Sequence, residues 1–221
     1  MENSLRHIYF MPGMAANKDI FEHIRLPEDR FMMHFLEWKI PLRGESVSAY
    51  AKRMCEEVHH ERPVLLGVSF GGIIIQEMAK HIAVEKLIVV SSVKSKYELP
   101  RRMRYSALTG VHKLLPAGVV RNVEVLAQYA FGEAVKKRLS LYEKYLSVRD
   151  PYYIRWSVDK IVNWDQEAPL QNTIHIQGEK DPVFPIKNIR DCILVKGATH
   201  IAIISRYTWF NSHLPELIEG S

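Results

Sequence analysis

Pro63-Val64-Leu65-Leu66-Gly67-Val68-Ser69-Phe70-Gly71-Gly72-Ile73-Ile74-Ile75 is the stretch that decides the fold. Its first half is a continuous apolar run of strand length, which fits a parallel sheet covered on both faces. After Gly71-Gly72 the pattern changes, and the spacing predicts a helix from Ile73 to His81. Between the two stands one serine with a glycine two positions to either side. A strand turning that sharply into a helix forces the serine into strained backbone angles and leaves no room for side chains beside it. The bland alternative is a serine that only caps a helix.

Outward from this point the same rhythm recurs. His7 to Met11 reads as a buried strand that stops at Pro12-Gly13, and Asn17 to Ile24 reads as a short helix. Part of Phe31 to Trp38 is a second strand. Ser46 caps a helix running to Val58, with Val47, Tyr50, Ala51, Met54 and Val58 on one stripe. Lys86 to Ser91 is again a strand. Alternation of this kind predicts an α/β sheet with right-handed crossovers.

From Lys94 to Ala168 the rhythm breaks. The segment is helix-rich, basic and aromatic, shows no convincing strand, and is punctuated by Pro100, Pro116 and Pro151. It is too long for a simple connection and reads as an inserted helical cap. Two βα units then resume, with strands at Thr173 to Gln177 and Asp191 to Val195 and a last helix from Ile201 to Ile218. The expected organisation is therefore a core of residues 1–93 and 169–221 with a cap of residues 94–168.

Composition excludes several classes. The chain has 221 residues, 47% hydrophobic and 25% charged, as in an ordinary globular protein. A net charge of +5 is too mild for a dedicated nucleic-acid binder. The excess sits between Lys96 and Lys160, where thirteen Lys and Arg face six Asp and Glu. That is either a solvated helical face or a surface attracting anionic substrates. Cys55 and Cys192 form no CxxC pair, and the ten histidines form no sequence motif for a metal. No signal peptide or membrane span is evident, so a soluble cytoplasmic protein is expected. No cofactor or metal is expected, and the oligomeric state is not readable.

A serine hydroxyl needs a base, and the base needs a partner that holds its ring. His200 stands just after the last predicted strand. Asp181, in Gly178-Glu179-Lys180-Asp181-Pro182, stands just after the strand before it. Ser69, Asp181 and His200 thus all fall at carboxyl ends of strands, where open α/β sheets bind ligands. Glu179 is the nearest rival for the acid.

Gly67-Val68-Ser69-Phe70-Gly71 matches the G-x-S-x-G nucleophile elbow, and the order Ser, Asp, His is the order used on that scaffold. On these residues the chain resembles the α/β-hydrolase superfamily over nearly its whole length except the insert. The resemblance implies about six core strands, mostly parallel, and a trimmed start lacking the usual N-terminal hairpin. It implies a catalytic triad of Ser69, Asp181 and His200, and an oxyanion hole from the backbone N–H groups of Phe70 and Met14. Family members often carry His-Gly in the loop after the first strand; here Pro12 replaces the histidine and Gly13 is kept. Met11, Gly13, Phe184 and Ile201 flank these positions and are expected to contact substrate. The expected reaction is cleavage of a small carboxylic ester or thioester through an acyl-enzyme, with a small-molecule acyl substrate as the partner. Amides, lactones and C–C bonds next to a carbonyl are alternatives, as is a receptor-like ligand binder on the same scaffold. Tyr97, Tyr105, Tyr129, Phe131, Tyr142, Tyr145, Tyr152, Tyr153, Trp156 and Trp164 of the cap divide between helix packing and pocket lining.

Overall fold

The computed structural model describes residues 5–114 and 144–220. Six strands form one sheet: β1 (Arg6–Met11), β2 (Phe31–Phe35), β3 (Val64–Val68), β4 (Lys86–Val90), β5 (Thr173–Gly178) and β6 (Ile193–Val195). Their order is β2-β1-β3-β4-β5-β6 and every pairing is parallel. The chain goes from β1 to one side, then returns to pair β3 on the other. The crevice between the carboxyl ends of β1 and β3 is therefore the point where strand order reverses, the usual ligand position in such sheets.

The central strands are apolar because both faces are covered. All of β3 is buried, as are Leu87 to Val90 of β4. Helix α1 (Val47–Met54) begins where Ser46 Oγ accepts from the Ala49 N–H at 3.1 Å. It ends earlier than the sequence pattern predicts, with the last turn tightening to a 3-10 helix over Cys55–Glu57. Asn17 to Ile24 is likewise reduced to one 3-10 helix, Lys18–Phe21, which Asn17 opens by accepting from the Asp19 N–H.

Helix α2 (Phe70–Met78) starts three residues before its predicted start. Gly71 and Gly72 lie inside it. They serve close approach: a Cβ on Gly71 would stand 2.4 Å from the Pro12 carbonyl oxygen, so only glycine lets α2 press against the loop after β1. The predicted last helix is two, α5 (Ala202–Ser205) and α6 (Tyr207–Glu219), parted at Arg206. Between β5 and β6 there is a 3-10 turn, Ile186–Asn188, in place of a helix.

Within residues 94–168, the described parts form 3-10 turns at Lys96–Glu98 and Val111–Leu114 and helices α3 (Arg101–Thr109) and α4 (Pro151–Val162). Pro116, Tyr129, Phe131 and Tyr142 lie outside the described residues. Helix α4 has Pro151 at its first position and Asp150 as its cap, accepting from the Tyr153 N–H at 2.8 Å. Its Tyr153 and Trp156 are buried beside Trp38, Tyr50 and Phe70. Among the described residues, no helix is long and apolar enough to cross a membrane.

Candidate active site

Ser69 stands between β3 and α2 with φ 53° and ψ −121°, a conformation that L-residues rarely adopt. The surrounding bonds hold it there. Its N–H donates to the Val90 carbonyl at 2.9 Å, and its own carbonyl accepts from the Gly72 N–H at 2.9 Å and from Ser92 Oγ at 2.6 Å. The backbone is thus fastened on both sides, while the hydroxyl side remains part-exposed.

Asp181 and His200 arrive from the loops after β5 and β6. Lys180 N–H donates to the Ala198 carbonyl at 2.8 Å, tying the loops together. Gly178 makes this possible, since a Cβ there would lie 2.7 Å from the Thr199 carbonyl oxygen. The result brings all three predicted side chains together. His200 Nδ1 lies 2.9 Å from Asp181 Oδ2, and His200 Nε2 lies 2.9 Å from Ser69 Oγ. An ionised carboxylate only accepts, so the Nδ1 proton faces Asp181 and Nε2 is left to accept from the serine hydroxyl.

Asp181 is buried, and each of its oxygens takes two donors. Oδ1 accepts from the Val183 and Phe184 N–H groups at 2.8 and 3.0 Å. Oδ2 accepts from His200 and from Gln177 Nε2, both at 2.9 Å. Four donors thus converge on this one buried carboxylate. Glu179 is turned elsewhere: its Oε2 accepts from the Gly197 N–H at 2.7 Å.

Behind the carboxylate the polar chain continues. Gln177 spends its two amide hydrogens on Asp181 and on the Phe184 carbonyl, at 2.9 and 2.8 Å. Its Oε1 must therefore accept, and His175 Nε2 donates to it at 3.2 Å. His175 is buried, and desolvation first, then the charge of Lys94, pushes its pKa down to about 4. It is a neutral prop at the far end of a line running His175, Gln177, Asp181, His200, Ser69.

The loop after β1 lies against the serine. A Cβ on Gly13 would be 3.5 Å from Ser69 Cβ. The Gly13 carbonyl accepts from Trp38 Nε1 at 2.9 Å and from the Ala16 N–H at 3.0 Å. The Ala15 N–H donates to Tyr153 Oη at 3.2 Å. Trp38 also stacks on Phe70, with centroids 5.2 Å apart. Sequence reading missed Trp38, Gln177 and His175 altogether and left Tyr153 undivided among the cap aromatics. Gln177, buried and four residues before Asp181 in the strand Thr173-Ile174-His175-Ile176-Gln177-Gly178, was the one available signal.

The remaining expected positions separate by burial. Met14 and Ile201 are half-buried at the site. Met11 is fully buried at the end of β1, and Phe184 is buried with its ring centroid 5.7 Å from that of His200. Phe70 presents its backbone at the head of α2, where helix N–H groups have no intrahelical partner, and buries its side chain.

Solved structures share this architecture. An esterase from Thermogutta terrifontis superposes with a TM-score of 0.70 at 14% identity, over 97% of this chain and 89% of that one. An esterase from Exiguobacterium antarcticum gives 0.69 at 16% identity, over 97% and 92%. An epoxide hydrolase from hot-environment metagenomes, described as belonging to the α/β-hydrolase superfamily, gives 0.68 at 13%, over 99% and 92%. This chain has the α/β-hydrolase fold. No protein-family model matches the sequence, and no curated protein does. Neighbours with such different activities share a scaffold; the chemistry of an α/β-hydrolase chain has to be argued from its own side chains.

Proposed function

We propose that the protein is a serine hydrolase that cleaves a small carboxylic ester or thioester through an acyl-enzyme. The observation that carries this reading is the His200 ring, 2.9 Å from Asp181 on one side and 2.9 Å from Ser69 on the other. In this reading His200 Nε2 takes the hydroxyl proton as Ser69 Oγ bonds to the substrate carbonyl carbon. The imidazolium, held by Asp181, returns that proton to the alcohol or thiol as its bond to carbon breaks. Water then gives its proton to His200 and attacks the acyl group, releasing a carboxylic acid and restoring Ser69. The Phe70 and Met14 N–H groups are the proposed donors to the oxyanion, and Met11, Gly13, Phe184 and Ile201 the proposed substrate contacts.

A serine at the elbow supports an acyl-enzyme. The chemistry proposed here needs no metal. The described parts of residues 94–168 are proposed to roof the site, supported by the packing of Tyr153 and Trp156 against the elbow residue Phe70 and its neighbours.

The test is a fluorophosphonate probe followed by p-nitrophenyl esters of increasing chain length. A mass shift confined to Ser69, absent in Ser69→Ala and His200→Ala, with ester turnover lost in both variants, is expected. Tight ligand binding without labelling or turnover would replace the enzyme reading with a receptor.

A further inference from the structure

A second set of histidines meets on the same sheet. His7 and Tyr9, two residues apart on β1, face the same side, and His34 of β2 is in register with Tyr9. His60 stands four residues ahead of β3, the strand on the other side of β1. His7 Nδ1 and His34 Nε2 are 3.0 Å apart. The His7 and His60 rings stack with centroids 3.4 Å apart, and those of His34 and His60 are 4.8 Å apart. One nitrogen from each ring lies within 4.8 Å of the other two. Among the described residues, no carboxylate forms an ion pair with any of the three. The cluster is half-buried.

We propose that His7, His34 and His60 form a zinc-binding site, with Tyr9 orienting His60 from behind. Zinc holds imidazole nitrogens at about 2.0–2.1 Å, which sets two ligands of one tetrahedral ion about 3.4 Å apart. The His7–His34 pair is already close to that spacing. The widest pair, within 4.8 Å, must close by at most about 1.4 Å, a movement that rotations of half-buried side chains supply as the stacked rings fan apart. A histidine ligand ordinarily fixes its other ring nitrogen on an oxygen. Tyr9 Oη provides that oxygen: it lies 2.6 Å from His60 Nδ1 and itself accepts from the His59 N–H at 3.0 Å. His60 Nε2 is left for the ion. Water completes the fourth position.

The three ligands come from an edge strand, its neighbour and the approach to β3. Bound zinc would therefore cross-link the sheet at the edge where β2 has a partner on one side only. Its effect is on stability, apart from the chemistry at Ser69.

The test uses tag-free protein stripped with a chelator, then titrated with ZnCl2 at neutral pH by calorimetry and thermal denaturation. One equivalent of saturable binding is expected, with Tm rising by roughly 5 °C or more at a hundredfold excess over Kd. His34→Gln should abolish both effects, and Tyr9→Phe should weaken affinity about tenfold or more. NMR of the wild-type histidine rings gives a readout free of variant folding: His7, His34 and His60 signals should move together with zinc. Absence of saturable binding, undiminished binding in His34→Gln, or movement confined to other histidine rings would each overturn the site.

Discussion

Two histidine assemblies share one sheet, and what lies between their rings separates them. At the carboxyl ends of β5 and β6, His200 is separated from His175 by a carboxylate and an amide, Asp181 and Gln177. Every hydrogen in that line has a direction, because the carboxylate only accepts and the amide has spent both its donors. Near the start of β1, His7 and His34 meet nitrogen to nitrogen, and among the described residues no carboxylate pairs with them. One arrangement suits moving a proton. The other presents lone pairs without a fixed proton, which suits a cation. The same side chain takes either role according to its neighbour.

Removing the charge from the directed line should have the largest effect. Asp181→Asn keeps the shape but offers an NH2 where His200 Nδ1 needs an acceptor. Ester turnover should fall by about 10⁴-fold, with fluorophosphonate labelling of Ser69 slowed in parallel. Glu179→Gln should leave turnover within a few-fold of the parent, because Glu179 caps the Gly197 N–H instead. Reversed results would move the acid to Glu179. The His7 cluster offers no counterpart experiment, since it contains no carboxylate to neutralise.

The next effect concerns stability. His175 has a folded pKa of about 4 against 6.5 in the unfolded chain, so between these values the unfolded state binds more protons. Its neutral burial costs nothing above pH 6.5. As pH falls from 6.5 towards 4, folding stability drains away, by about 3 kcal/mol in all. Urea denaturation of wild type and His175→Gln across that range should show the wild-type slope flattened in the variant. Equal slopes would mean that the buried ring is not the source.

Much of the fold was readable because β1, β3 and β4 carry apolar runs, Ile8 to Met11, Val64 to Val68 and Leu87 to Val90, of the kind that a sheet covered on both faces buries. The positions of Ser69, Asp181 and His200 followed from strand ends. What escaped reading depends on contacts between distant segments. The start of α2 at Phe70 escaped because sequence cannot show the Pro12 carbonyl pressed against Gly71 or the Ser92 side chain against Gly72. His7, His34 and His60 are separated by more than twenty residues each, so no spacing rule could join them; the order β2-β1-β3 in the sheet does. Trp38 looked like the tail of a strand, and its bond to Gly13 spans 25 residues.

That last bond gives the smallest effect and the finest test of how the site is held. Trp38 Nε1 and Tyr153 Oη fix successive parts of the loop after β1, at the Gly13 carbonyl and the Ala15 N–H. Trp38→Phe keeps an aromatic face for Phe70 but removes the donor. The Gly13 carbonyl retains the Ala16 N–H, so the loop loosens without unfolding. A loss of one neutral hydrogen bond is worth about 1 kcal/mol, hence a drop in kcat of about fivefold with KM little changed. Tyr153→Phe removes the partner of Ala15 and should cost a similar factor. If the loop supplies the Met14 N–H to the oxyanion, the two losses should couple, and the double variant should lose less than their product. Strictly multiplicative losses, or a rise in KM alone, would mean that the two aromatics hold the substrate surface while leaving the oxyanion donor in place.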